Sequence, residues 1–197
     1  MSYNTFTLLI TQPNNDNSSA SLNTSRPHNS FSRAHRLRRV VKTLTVYYSR
    51  SGNTRKLAEA ISKNIGGDIE EITEPHGRGG PIGWLRSGRE ATGEMTTSIN
   101  QPKSDPANYD LVIVGTPIWG GKLSSPVRAY LTNIAGKAKR IAFFVTMMGN
   151  VDSAAYAAME KIAGHPEATL SISQTELKGS AYLDKVNKFA EKLREHE

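Results

Sequence analysis

Residues 44–54 read Leu44-Thr45-Val46-Tyr47-Tyr48-Ser49-Arg50-Ser51-Gly52-Asn53-Thr54, and the chain continues Arg55-Lys56-Leu57-Ala58-Glu59-Ala60-Ile61. The first five residues are apolar or β-branched, which suits a strand. From Asn53 the apolar positions Leu57, Ala58, Ile61 and Ile65 recur at helical spacing. Ser49–Thr54 therefore joins a strand to a helix. The first backbone N–H groups of a helix have no internal partner, and the helix dipole adds partial positive charge there. Ser49, Ser51 and Thr54 add O–H donors, and Gly52 permits close backbone approach. Such a turn is suited to a phosphate. Read alone, it is equally an N-capped helix whose Ser and Asn side chains satisfy backbone groups. It lacks the lysine of a nucleoside-triphosphate loop and the three glycines of a dinucleotide fingerprint.

Downstream, strand and helix patterns alternate. Gly66-Gly67 closes the first helix, and Asp68–Thr73, with Ile69 and Ile72 among acids, predicts an exposed or edge strand. Three glycines between Pro75 and Pro81 break regular structure; Ile82–Ala91 predicts a short helix, and 93–107 a loop. The continuous apolar run Leu111–Val114 predicts a strand covered on both faces. Ser124–Ile134 is a helix with Pro126 in its first turn. Ile141–Val145 is a second buried strand, Asp152–Ala163 a helix stopped by Gly164, and Thr169–Thr175 the last strand. Ala181–Arg194 closes the chain with Leu183, Val186, Phe189, Ala190 and Leu193 on its apolar face.

Five strands alternating with helices imply an α/β fold with a parallel sheet covered on both sides. Ligands of such sheets sit beyond the carboxyl ends of the strands. The loops that matter are then 49–54, 116–123 and 146–152. The second contains Thr116-Pro117-Ile118-Trp119-Gly120-Gly121-Lys122, where Trp119 offers a plane for a flat ligand or packs beneath its own loop. The third contains Thr146-Met147-Met148-Gly149-Asn150, whose methionines suit the other face of a ring or ordinary packing.

Composition narrows the partners. The 197 residues suit one domain with some chain left over, and a hydrophobic content of 37% implies that part of the chain is unpacked. The net charge is +7; residues 1–40 hold five of the 25 bases and one of the 18 acids, leaving a net of +3 for the rest. That is too mild for a nucleic-acid surface. No cysteine is present, so disulfides and thiolate chemistry are excluded, and a reducing, cytoplasmic setting is compatible. No apolar run approaches a membrane span. Residues 1–40 are Asn/Ser-rich and then Arg-rich, which reads as a disordered basic extension before a domain at 41–197. An organellar transit peptide, or a natural start near Val40 or Val41, are the other readings. The five histidines are scattered, no metal-ligand spacing appears, and no catalytic acid or base stands out.

Over about residues 42–195 the chain resembles the flavodoxin family. Ser49-Arg50-Ser51-Gly52-Asn53-Thr54 is similar to the family's phosphate loop, and Ile118-Trp119-Gly120 to its ring-stacking loop. The resemblance implies a three-layer sandwich with a five-stranded parallel sheet of order 2-1-3-4-5 and helices on both faces. The short join Glu176–Ser180 resembles the short-chain subtype. It also implies non-covalent FMN. The phosphate would be held by Ser49, Ser51, Asn53 and Thr54 with the backbone of Arg50 and Gly52. The ring would lie among Pro117, Ile118, Trp119, Gly120 and Gly121 on one side and Thr146, Met147, Met148 and Gly149 on the other. Gly120 matches the residue whose peptide turns to accept from flavin N5 after one-electron reduction.

Two departures from the family pattern stand out. Acids that often follow this glycine are replaced by Gly121-Lys122, and the third loop has no aromatic before Tyr156. The first predicts a higher potential for the second electron than in acidic flavodoxins. The second leaves room for a substrate ring. The function expected is electron transport through FMN to a redox partner protein. The alternative is an NAD(P)H-dependent FMN or quinone reductase, toward which Arg86, Arg89 and Lys122 incline if they flank the ring. A flavin-free domain using the first loop for another phosphate or a protein partner is the third reading.

Overall fold

A computed structural model describes residues 41–75, 95–149 and 152–195. The expected extension at 1–40, the helix at 82–91 with Trp84, Arg86 and Arg89, and Asn150 lie outside the described residues.

Strand β1, Thr43–Tyr47, is buried along its whole length. It feeds helix α1, Asn53–Ile65, which presents Leu57, Ala58 and Ile61 to the sheet and keeps its charged residues outward. Gly66 ends α1, its N–H bonding to the Ser62 carbonyl at 2.8 Å. Gly67 then turns with φ 96°, and a Cβ there would fall 2.2 Å from the Thr43 carbonyl oxygen. Only glycine fits so close to β1. Strand β2, Asp68–Glu71, is shorter than expected. Ile69 is 43% exposed, as suits an edge strand.

The segment after residue 95 returns along β2. Asn100 N–H donates to the Thr73 carbonyl, and the Glu70 carboxylate accepts from the N–H groups of Lys103 and Ser104 at 2.6 and 2.9 Å. Strand β3 covers Leu111–Trp119, far beyond the expected Val114. It turns directly into β4, Lys122–Leu123, an antiparallel partner. Helices α2 (Ser125–Ile134) and α3 (Ser153–Ala163), strands β5 (Ile141–Met147) and β6 (Thr169–Ser173), and helix α4 (Tyr182–Glu195) follow.

The parallel sheet runs β2-β1-β3-β5-β6, with β4 attached to β3 outside that path. Counting only the parallel strands, this is the expected 2-1-3-4-5 order; β4 is an addition. One face carries Leu44, Val46, Val112, Val114 and Phe143 under α2 and α3. The other carries Tyr47, Leu111, Ile113 and Phe144 under α1 and α4. One expected core residue is displaced. Leu183 is 42% exposed, because Tyr182 takes the inward position in the first turn of α4. On a helix the next residue then points well away from the sheet.

Candidate functional site

The parallel strands end on one side of the sheet, and three of their connections meet there. After β1, the Ser49 hydroxyl accepts from the Gly52 N–H at 3.1 Å. Gly52 occupies the N-cap of α1 with φ 86°, and no side chain caps the helix. Lys56 N–H makes the first helical bond, to the Gly52 carbonyl at 2.9 Å. The N–H groups of Asn53, Thr54 and Arg55 precede that bond and find no acceptor among the described residues. No acid stands in the first turn. The simple capping interpretation is therefore not what the loop does: its helix start is left open, with exposed Arg50 and Ser51 beside it.

Two residues of this loop have partners within the protein. Gly52 N–H is engaged by Ser49 within the loop. Thr54 is 1% exposed, and its hydroxyl lies 2.8 Å from that of Thr146 on β5. That buried pair ties the start of α1 to the end of β5. It also consumes one hydroxyl proton that would otherwise face a ligand.

The second connection is a hairpin where a loop was expected. Trp119 pairs with Lys122, leaving Gly120 and Gly121 as a two-residue turn. Their φ values are 55° and 76°. Two positive φ values in a two-residue hairpin define a type I′ turn, which glycine enters without steric cost. The Trp119 ring is held edge-on against Tyr48, with centroids 5.6 Å apart and planes at 87°. The Tyr48 hydroxyl donates to Glu74 at 3.0 Å, and Thr97 donates to the other oxygen of the same carboxylate at 3.1 Å. The indole thus leans on a tyrosine that is itself fixed.

The third connection starts within β5, since Thr146 and Met147 are its last residues and both are buried. Met148 is 84% exposed. Tyr156 is not among the residues that line the site. Its hydroxyl bonds to Ser171 at 2.9 Å, and Ser171 donates to Asp152. Burial pushes this phenol above its ordinary range, so it is a neutral packing group.

These elements enclose a cavity of about 280 Å³. The first loop contributes Arg50, Ser51, Asn53 and Thr54 to its lining, and the hairpin contributes Pro117, Ile118, Trp119 and Gly120. Thr146, Met147 and Met148 form the β5 side, joined by Gln174 after β6. Ser49, Gly52, Gly121 and Gly149 do not line it; the first three shape the turns that do. No described lining residue is acidic, and Arg50 is the single cation among them. Gln174 was not anticipated. Its N–H bonds to the Met147 carbonyl at 2.8 Å, which carries the β5–β6 pairing one step into the site. The rule that ligands sit at strand carboxyl ends, applied to the last strand too, would have found it.

No protein-family model matches the sequence, and no curated protein matches it. Solved structures do. A flavoprotein from Lactobacillus acidophilus, solved in complex with FMN, is 25% identical, with a TM-score of 0.60 over 74% of this chain and 97% of that one. Oxidised flavodoxin 2 from Bacillus cereus is 20% identical, with a TM-score of 0.53 over 80% and 100%. A Bacteroides uniformis protein shares the fold at 19% identity and a TM-score of 0.64, over 77% and 98%.

The chain has the flavodoxin-like fold. In that fold the cavity occupies the carboxyl end of the sheet, between the connections after β1, β3 and β5. No described helix is long and apolar enough to cross a membrane.

Proposed function

We propose that this flavodoxin-like protein binds FMN and carries electrons through it to a redox partner protein. One observation carries the reading: an uncapped helix start and the Trp119 indole line the same cavity, whose described lining residues include no acid. The free N–H groups of Asn53–Arg55, with the exposed Ser51 hydroxyl, suit a phosphate dianion. Trp119, Pro117 and Met147 suit a flat ring. The cavity is small beside sites of roughly 300–1,000 Å³ that enclose a whole ligand, so part of the cofactor would stay at the surface. An exposed ring edge is what electron transfer to another protein needs. When bound, FMN would supply the one- and two-electron chemistry.

The chain's own contribution is binding and orientation. Tyr48 holds the indole plane. The Thr54–Thr146 bond fixes the distance between the phosphate loop and the β5 wall. Rotation of the one peptide between Gly120 and Gly121 exchanges the type I′ turn for type II′, which glycine at the first position also allows. That rotation would turn the Gly120 carbonyl without disturbing the paired strands.

Reconstitution with FMN tests the reading, using wild type and Ser51→Glu. Ser51 is exposed, so the acid leaves the sheet intact while facing the phosphate. The expected result is at least tenfold weaker FMN binding, about 1.4 kcal/mol, with riboflavin binding unchanged. Equal FMN affinity in the variant would sink the assignment. A second reading, an NAD(P)H-dependent FMN or quinone reductase, is favoured by the exposed Met148 where an aromatic would cover the ring. NAD(P)H oxidation with a quinone by the pure protein supports it; turnover only after a separate reductase is added supports the carrier.

A further inference from the structure

Thr116 and Ser124 face each other at the foot of the Gly120–Gly121 hairpin. Both are fully buried, and their hydroxyl oxygens lie 2.8 Å apart. Thr116 Oγ1 also donates to the Pro117 carbonyl at 2.9 Å. A hydroxyl has one proton. With the Thr116 proton on Pro117, Ser124 must be the donor to Thr116. The bonds therefore run in one direction, from Ser124 to Thr116 to the Pro117 carbonyl.

Two features separate this relay from ordinary packing. Ser124 stands at the N-cap of α2, where serine normally accepts from an amide of the first turn, yet it makes no capping bond. Its hydroxyl serves the hairpin instead. The hairpin ladder also has only two residue pairs, Ile118–Leu123 and Trp119–Lys122. Extending that register one step toward the foot would set Pro117 against Ser124, and proline has no N–H to give. The side-chain relay stands where a third rung of backbone bonds would be.

We infer that the Ser124–Thr116–Pro117 relay is the positioning device of the ring wall: it sets the angle of the hairpin and so the placement of Trp119 and Gly120. The inference rests on the FMN reading. Thr116 and Ser124 do not line the cavity, so they act through the hairpin and are positioning residues. Their influence falls on the ring end of the ligand and not on the phosphate end, which belongs to the connection after β1.

The full-length protein and the variants Ser124→Ala, Thr116→Val and Thr116→Ser are titrated with FMN and with riboflavin, and the potential of the second electron is measured on the loaded proteins. Ser124→Ala strands no buried donor, because Thr116 keeps Pro117, and it removes no cap. Its apo form should melt close to wild type. The expected result is at least fivefold weaker binding of both flavins by Ser124→Ala and Thr116→Val, by the same factor, with a displaced potential. Thr116→Ser restores both. Wild-type affinity and potential in Ser124→Ala overturn the inference, as does a loss confined to FMN. Should Thr116→Val fail to fold, Ser124→Ala decides alone. If the wild-type protein takes up neither flavin, the FMN reading itself fails and takes the relay's role with it.

Discussion

The Phe144 ring lies directly over Gly115 on the neighbouring strand. A Cβ on Gly115 would come within 1.9 Å of the ring's Cζ, inside any allowed contact. The two residues are register partners in the β3–β5 pair, and Phe144 is fully buried. Gly115 makes room for the largest fully buried side chain on the α1–α4 face of the sheet, one residue before the buried relay at Thr116.

Gly115→Ala should therefore destabilise the fold by about 1–3 kcal/mol, because an extra methyl in a filled core displaces its neighbours. Urea unfolding measures the loss. Phe144→Leu in the same chain should recover part of it, giving a non-additive pair of about 0.5–3 kcal/mol. Strict additivity would mean that the two side chains do not compete for the space.

Acid should weaken the join between β6 and α4. Glu176 accepts from Lys185, from the Ser173 N–H and from the Ser173 hydroxyl, and these bonds hold its carboxyl at about 2, below the ordinary 4.5. A carboxylate with a depressed folded value stabilises the fold above its unfolded value and loses that stabilisation as pH falls. The window runs from about pH 4.5 down to about pH 2. Much of the group is solvent-screened, so the effect is modest. Glu176→Gln should be less stable than wild type at pH 7, with the difference shrinking below pH 4.5. Thermal melts across that range check the trend; a difference that is flat in pH contradicts it.

Met148→Tyr should cover the ring. With Met148 84% exposed, the change costs the fold nothing visible. An added aromatic contact is worth about 0.5–1.5 kcal/mol, or roughly two- to tenfold in FMN affinity. The same variant should slow any quinone or NAD(P)H turnover by occupying the substrate's place. Tighter FMN with unchanged turnover would argue against the reductase reading.

Lys122 sits beside the hairpin turn, opposite Trp119. Lys122→Glu should lower the potential of the second electron, since a negative charge disfavours the anionic reduced ring by an amount on the order of 1 kcal/mol. A redox titration of the loaded protein reads it, and raising the salt should shrink the shift. An unmoved potential at low salt would place Lys122 outside the ring's field.

Much of the architecture could be read from spacing. Leu111–Val114 and Ile141–Val145 are continuous apolar runs because both faces of the sheet are covered, and α1 and α3 repeat their apolar residues at helical intervals. Strand ends were less legible. Pro117 and Gly120-Gly121 looked like loop because proline and glycine usually break strands, yet Pro117 sits in β3 and the glycines form the turn the hairpin needs. The site was legible where local composition carries it, in Ser49–Thr54 and around Trp119. It was not legible where it depends on distant pairs. Thr54 meets Thr146 across 92 residues, and Gln174 reaches the cavity only because β6 lies beside β5. No periodicity encodes either contact.

The burial of β3 changes along its length. Its first six residues are buried and its last three are half-buried. A single strand thus belongs to two regimes of amide exchange. Up to Thr116 it should open only with the whole domain, while from Pro117 onward it can loosen locally and reclose. The boundary falls next to the point where β3 stops pairing with β5 and starts pairing with β4. A recognition surface built past such a boundary can adjust to what it holds without drawing on the cooperativity that keeps the chain folded.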